Sequence, residues 1–238
     1  MHIQTNEGIS KEFIPLLIEK VNHDFETDPI NLFSMYVFAT QMKYQRFVVG
    51  ISPSENTIFT EEVGIDSSLQ DFITEQLQNK STIENFAKLK YFLDELFSSI
   101  TEKGSLNYFY RKEYLISSKK LGTLLNISRA TIHRYKDLGM EWVEGVGHDC
   151  YPKHNSFYWS NGLWTARIQG ISQKSKIRNQ TKEELIKELQ SEINRYQSRY
   201  GGSFEGVFGS VTDPYELEEP DDYFDWRDLL EDLKKLNG

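Results

Sequence analysis

Residues 117–139 read SSKKLGTLLNISRATIHRYKDLG, and few chain geometries satisfy this order of residue types. Ser117 or Ser118 suits the cap of a first short helix, with Leu121, Leu124 and Leu125 on its apolar side. Gly122 is small where a second helix must approach closely. Asn126 falls at the tight turn, where a left-handed backbone is needed and Asn tolerates one. Ile127 plugs the turn and Ser128 caps a second helix, whose Ile132 and Tyr135 recur at helical spacing and face inward. Gly139 ends that helix as a C′ glycine. Ser128, Arg129, Thr131, His133 and Arg134 are left facing outward. Two arginines, two hydroxyls and a histidine near a helix N-terminus form the donor set that a major groove accepts.

This stretch resembles the helix-turn-helix of excisionase and mercury-resistance-type (MerR-like) regulators, and of the small terminase subunits of tailed phages. Their motif reads roughly A-x-L-L-G-V-S-R-x-T-I-x-R-W-x-x-x-G. Leu124, Leu125, Ser128, Arg129, Thr131, Ile132, Arg134 and Gly139 fit it, while Asn126 replaces the turn glycine and Tyr135 the aromatic. The likeness continues through Met140–Trp159, where those families place a wing, and covers residues 115–159 alone. It implies a winged helix-turn-helix that binds double-stranded DNA.

The charge distribution agrees with that expectation. The 238 residues carry a net charge of −9, but it is unevenly spread. Residues 1–106 have a net of −8, residues 107–203 a net of +7, and residues 204–238 a net of −8. Phosphate attraction acts over roughly a Debye length of ~8–10 Å, so a basic segment on an acidic chain still attracts DNA. Lys119, Lys120, Lys136, Lys153 and His154 join the outward face as candidate DNA contacts, with Lys174 and Arg178 as further phosphate partners.

The single cysteine, Cys150, excludes a disulfide framework and a multi-cysteine zinc site. His148, Cys150 and His154, with His133 nearby, have the spacing H-x-C-x3-H. That matches no common structural zinc site, so neither metal nor cofactor is expected. His23, Asp24, Glu26 and Asp28 read as solvated caps in a polar loop. No apolar run approaches the ~20 residues of a membrane span, and MHIQTNEGIS lacks a basic-then-apolar leader. A cytoplasmic protein without a membrane partner is expected.

The expected fold is mainly α, of the α+β class. Residues 1–106 form a helical N-terminal domain for assembly or sensing, and residues 107–165 the winged helix-turn-helix. Residues 166–203 are a basic linker and an amphipathic helix, and residues 204–238 an acidic tail. Within the first domain, helices are expected from Ser10 to Val21, over Ile30–Met42 behind the Asp28-Pro29 cap, and over Asp66–Leu77. A hairpin is expected across Ser52-Pro53-Ser54. A capping box at Ser81 and Glu84 opens a long amphipathic helix that Lys103-Gly104-Ser105 breaks. The apolar excess over Ile30–Met42 suits either a deep core or a dimer face.

Glu141–Tyr151 reads as the wing hairpin, and residues 160–180 as a flexible basic link. Thr181 with Glu184 caps a helix whose Leu185, Leu189, Ile193, Tyr196 and Tyr200 form one stripe. That seam fits an oligomer contact or docking within its own domain. Trp226, Leu229, Leu230, Leu233 and Leu236 share one face of a terminal helix behind an acidic tether, the pattern of a partner-docking peptide. A helix folded back on its own body has the same pattern.

No Gly-rich phosphate loop, nucleophile elbow or paired-carboxylate motif points to an enzyme. The expected function is that of a site-specific DNA-binding transcriptional regulator of a bacterial or mobile-element system, acting as a dimer or higher homo-oligomer. The alternative is a phage packaging or recombination accessory factor that recruits an enzyme through its C-terminal helix. The tail suits that alternative; the central placement of the motif does not, since small terminases usually begin with theirs.

Overall fold

In a computed structural model, residues 15–16, 28–60, 66–145 and 149–237 are described. The helix expected over Ser10–Val21 (but for Pro15 and Leu16), the cluster His23, Asp24 and Glu26, and His148 lie outside them. The chain is mainly helical with small antiparallel sheets, as an α+β reading requires, and divides into two compact units at Asn179/Gln180.

The first unit is built around one long helix. Asp28 caps α1 (Pro29–Lys43) by accepting from the Ile30 amide at 3.3 Å, with Pro29 in the first turn. Asp66 caps α2 (Ser67–Gln78) in the same way. α3 (Ile83–Ser99) starts one residue later than the expected box, with Thr82 accepting from the Asn85 amide at 3.1 Å. Phe86, Leu89, Leu93, Leu96 and Phe97 of α3 pack on Leu32, Phe33 and Tyr36 of α1 and on Ile73 and Leu77 of α2. The apolar excess of α1 is therefore core.

The hairpin expected at residues 46–60 does not form. β1 (Val48–Pro53) pairs with β4 (Leu106–Tyr110), and β2 (Ile58–Phe59) with β3 (Thr101–Lys103), both antiparallel. Two distant arms thus make a bent ribbon, pinned where the Ser54 amide donates to the Ser105 carbonyl at 2.8 Å. Gly104, at φ +109°, closes it: a Cβ there would lie 2.4 Å from Thr57 Oγ1. Ser-Pro-Ser reads as a turn locally, but the pairing partner lies some fifty residues away.

After a 3-10 turn (Lys112–Tyr114) comes β5 (Leu115–Ser117), then α4 (Ser118–Leu125) and α5 (Arg129–Asp137). β6 (Cys150–Pro152) pairs with β5, and Val143 bridges to Cys150 on the other side. α6 (Asn155–Tyr158) and α7 (Gly162–Asn179) follow. Ala87 on the far side of α3 joins Ile116, Leu121, Ile132, Met140, Tyr151, Tyr158 and Trp164 in a second core. A boundary at residue 106 is thereby corrected: it would cut β4 out of its ladder and separate α3 from half of its packing.

Residues 160–180 are likewise not a flexible link but α7. Trp164 is buried and Ile168 packs against the second core. At the far end, Arg178 donates to the carbonyls of Ser98 (3.0 Å), Thr101 (3.2 Å) and Gly104 (2.8 Å). Arg178 closes the end of α3 and is withdrawn from the expected phosphate contacts.

The second unit begins with the expected capping box, since Thr181 and Glu184 exchange side-chain bonds at 3.1 and 2.9 Å. α8 (Lys182–Tyr200) ends at Gly201, φ +68°. A short helix α9 (Phe204–Phe208) and a 3-10 turn (Pro214–Glu216) lead to α10 (Pro220–Asn237). α10 runs antiparallel to α8: Tyr200 donates to Asp222 at 2.6 Å, and Tyr196 stacks on Trp226 at 5.6 Å between centroids. Trp226 is 0% exposed, and Leu229, Leu230 and Leu233 pack on the same cluster. The tail expected to be a free docking arm is folded on α8. Ile193, Tyr196 and Tyr200 of the stripe pack within their own unit.

Candidate nucleic-acid interface

The junction of α4 and α5 is set by local chemistry. The Ser117 hydroxyl accepts from the Lys120 amide at 3.3 Å, and the Ser128 hydroxyl from the Thr131 amide at 3.1 Å, so both helices carry the caps read from the sequence. Asn126 is left-handed at φ 53°, ψ 45°, the one positive-φ residue besides glycine among the described residues. The Ile127 amide returns to the Gly122 carbonyl at 3.0 Å. A Cβ on Gly122 would lie 2.9 Å from the Ile127 carbonyl, which is why the position is glycine. Leu121 and Ile132 close the interior, whereas Leu124, expected inside, is 56% exposed at the rim.

Pinning Ile132 inward fixes the opposite face. Ser128, Arg129, His133 and Arg134 are exposed, and Thr131 is half-buried with its hydroxyl 2.9 Å from that of Ser128. Lys119 and Lys120 are exposed on α4. Arg129 and Lys119 line one shallow cleft of about 460 Å³ along the turn, with Ser118, Gly122, Thr123 and Asn126. Two cations from two helices are thus brought to one concave surface. Gly139, φ +101°, ends the second helix as expected and lies against Ser172 of α7.

Other expected contacts are differently placed. Lys136 pairs with Asp149 at 2.7 Å, its ammonium 3.5 Å from the Trp142 ring centroid, so it braces the segment after α5. Lys153 is half-buried, and Lys174 on α7 lies 4.0 Å from Glu95. His154, expected on a wing, is 0% exposed and is removed from the surface set. Both its nitrogens are engaged, Nε2 with Glu141 at 3.0 Å and Nδ1 with the Tyr114 hydroxyl at 3.3 Å. Of the H-x-C-x3-H residues, His148 lies outside the described residues and His154 is taken up by Glu141 and Tyr114.

His154 belongs to a buried network that periodicity did not reveal. Glu141 accepts from His154, from the Tyr110 hydroxyl at 2.6 Å and from Lys90 at 3.3 Å; Lys90 also pairs with Asp94 at 2.8 Å. Burial alone raises the Glu141 carboxyl, but the Lys90 ammonium and the donors from His154 and Tyr110 outweigh it and hold it near about 2. Burial lowers His154, with Glu141 opposing in part. The one local trace of this cluster was Lys90 and Asp94 at i, i+4.

No protein-family model, curated protein or solved structure matches the chain. No helix among the described residues is long and apolar enough to cross a membrane.

Proposed function

We propose that residues 115–159 are a winged helix-turn-helix and that the chain is a site-specific double-stranded DNA-binding protein, a transcriptional regulator acting as a homo-oligomer. One observation carries this reading: the left-handed Asn126 turn leaves Arg129, His133 and Arg134 exposed along α5, with Arg129 sharing a cleft with Lys119 of the preceding helix. In this reading α5 enters the major groove, where Arg129 and Arg134 donate to guanine edges or flanking phosphates. Lys119, Lys120 and Lys153 hold the backbone. Dimerisation would set two copies of α5 one helical turn apart, ~34 Å.

The packaging alternative drew on a free C-terminal helix. With α10 folded on α8, that support is withdrawn, and a ring of eight or more subunits in solution is what would restore it.

The test is fluorescence anisotropy against a duplex selected from a random pool. Arg129→Ala is expected to cost about 1–3 kcal/mol at the selected site. If four phosphates are neutralised, log K should fall against log salt with a slope of about −3.6. Unchanged affinity of a folded Arg129→Ala/Arg134→Ala protein, together with a flat salt dependence, refutes the proposal.

A further inference from the structure

A cavity of about 600 Å³ lies in the first unit between α3, α7, the ribbon and the residues that follow α5. Its lining is chemically polarised. At one end stand Lys90, Asp94 and Glu141, where two carboxylates face a single ammonium at 2.8 and 3.3 Å. Asn155 lines the cavity beside them. It is 1% exposed and its amide nitrogen donates to the Glu141 carbonyl at 2.7 Å, but its Oδ1 has no partner in the protein. This end therefore holds a surplus negative charge.

The other end has the opposite character. The Arg178 side chain lines the same cavity, and its bonded partners are Ser98, Thr101 and Gly104, none of them acidic. Its Nε is buried without a partner. A half-buried guanidinium whose hydrogen-bond partners are only carbonyls and hydroxyls keeps its full charge, with no carboxylate to offset it. Between the ends the wall is apolar, with Phe97, Leu106, Ile168 and Ile171. On α3, Asp94 and Lys90 precede Ser98 by one and two turns, so at ~1.5 Å per residue the two ends are separated by roughly 6–12 Å.

We propose that this cavity is a binding site for a small zwitterion, an apolar body carrying an ammonium at one end and a carboxylate at the other. The ammonium faces Asp94 and Glu141, whose side chains are both partly exposed. The carboxylate faces the Arg178 guanidinium, and the apolar body lies along Ile168 and Ile171. Each surplus charge then gains a counter-charge. Gly139 and Glu141 directly follow α5, so a bound molecule would touch the exit of the proposed recognition helix. That regulatory consequence rests on the DNA-binding reading; the binding itself does not.

The experiment is calorimetric titration of the full chain with 4-(aminomethyl)benzoate, whose two charges sit across an aromatic ring. Benzylamine and 4-methylbenzoate each lack one of them. Saturable binding of the zwitterion is expected, with each single-charge analogue weaker by about tenfold or more. Ile171→Trp, which fills the cavity from α7 without touching the charged ends, is expected to abolish it. Should that variant fail to fold, hydrogen exchange on the unaltered protein serves instead: the zwitterion must slow exchange at residues 139–141 and 168–179. The proposal is overturned by absence of saturable binding at millimolar probe, by an analogue binding as tightly as the zwitterion, by binding that survives in folded Ile171→Trp, or by protection confined to other segments. None of these readouts involves DNA, so this proposal and the DNA-binding reading can fail separately.

Discussion

Asn126 carries more of the candidate interface than any charged residue, because its backbone aims the helix on which the charges sit. An L-residue pays about 1–2 kcal/mol for left-handed geometry, less for Asn, and nothing comparable for Gly. Asn126→Gly is therefore expected to leave thermal and denaturant stability nearly unchanged. Asn126→Val should lower it by about 1–2 kcal/mol, since a β-branched side chain resists φ 53°. Equal stability of the two variants in urea denaturation would show that the turn does not hold the geometry described. This residue was legible in the sequence, as were the Ser117 and Ser128 caps, because each answers a requirement of its nearest neighbours. His154 was not. A histidine beside Lys153 reads as surface, and nothing within several residues of it announces that Glu141 and Tyr114 enclose it.

Elements meet through that histidine. Lys90 and Asp94 come from α3, Tyr110 from β4, Glu141 from the segment after α5, and His154 from the start of α6. The network thus ties the two cores together, and its titration should be visible in stability. His154 is lowered in the folded state, so below about pH 6.5 the unfolded chain binds a proton that the folded one refuses, and stability falls. Glu141, lowered to about 2 from 4.5, adds a further loss as pH falls from about 4.5 towards 2. Asp94, raised by burial above its usual 3.8, acts in the opposite sense. The melting temperature should therefore decline as pH falls below about 6.5, and His154→Gln should flatten that part of the profile. An unchanged profile in the variant would assign the decline elsewhere. Elements marked by a cap with an apolar run or apolar periodicity behind it, α1 to α3 and α8, were readable in advance. The ribbon and α7 were not, because distant strand pairing and a helix docked partly through Ser172, Arg178 and Asn179 leave no hydrophobic period.

On the scale of the whole molecule, the division falls at Asn179/Gln180 and not where composition shifts at residues 106 and 203. Charge changes sign at those points, but burial does not follow charge. In the second unit the tail that reads as a free arm supplies the centre of the core: Trp226 stacks on Tyr196 and meets Phe204 and Phe208 edge-on. Removing residues 204–238 would uncover Ile193 and Tyr196 on α8, and a lone nineteen-residue helix is marginal in water. Truncation is thus expected to unfold α8, seen as rapid hydrogen exchange over residues 182–200. Trp226→Ala should weaken this unit by about 3–5 kcal/mol through the cavity it leaves. Trp226→Phe should cost much less, because the Trp226 indole nitrogen is buried without a partner and no hydrogen bond is lost with it. If α8 keeps its protection in the truncated chain, its apolar stripe has a cover other than α10, and an oligomer contact along that stripe becomes the better account of it.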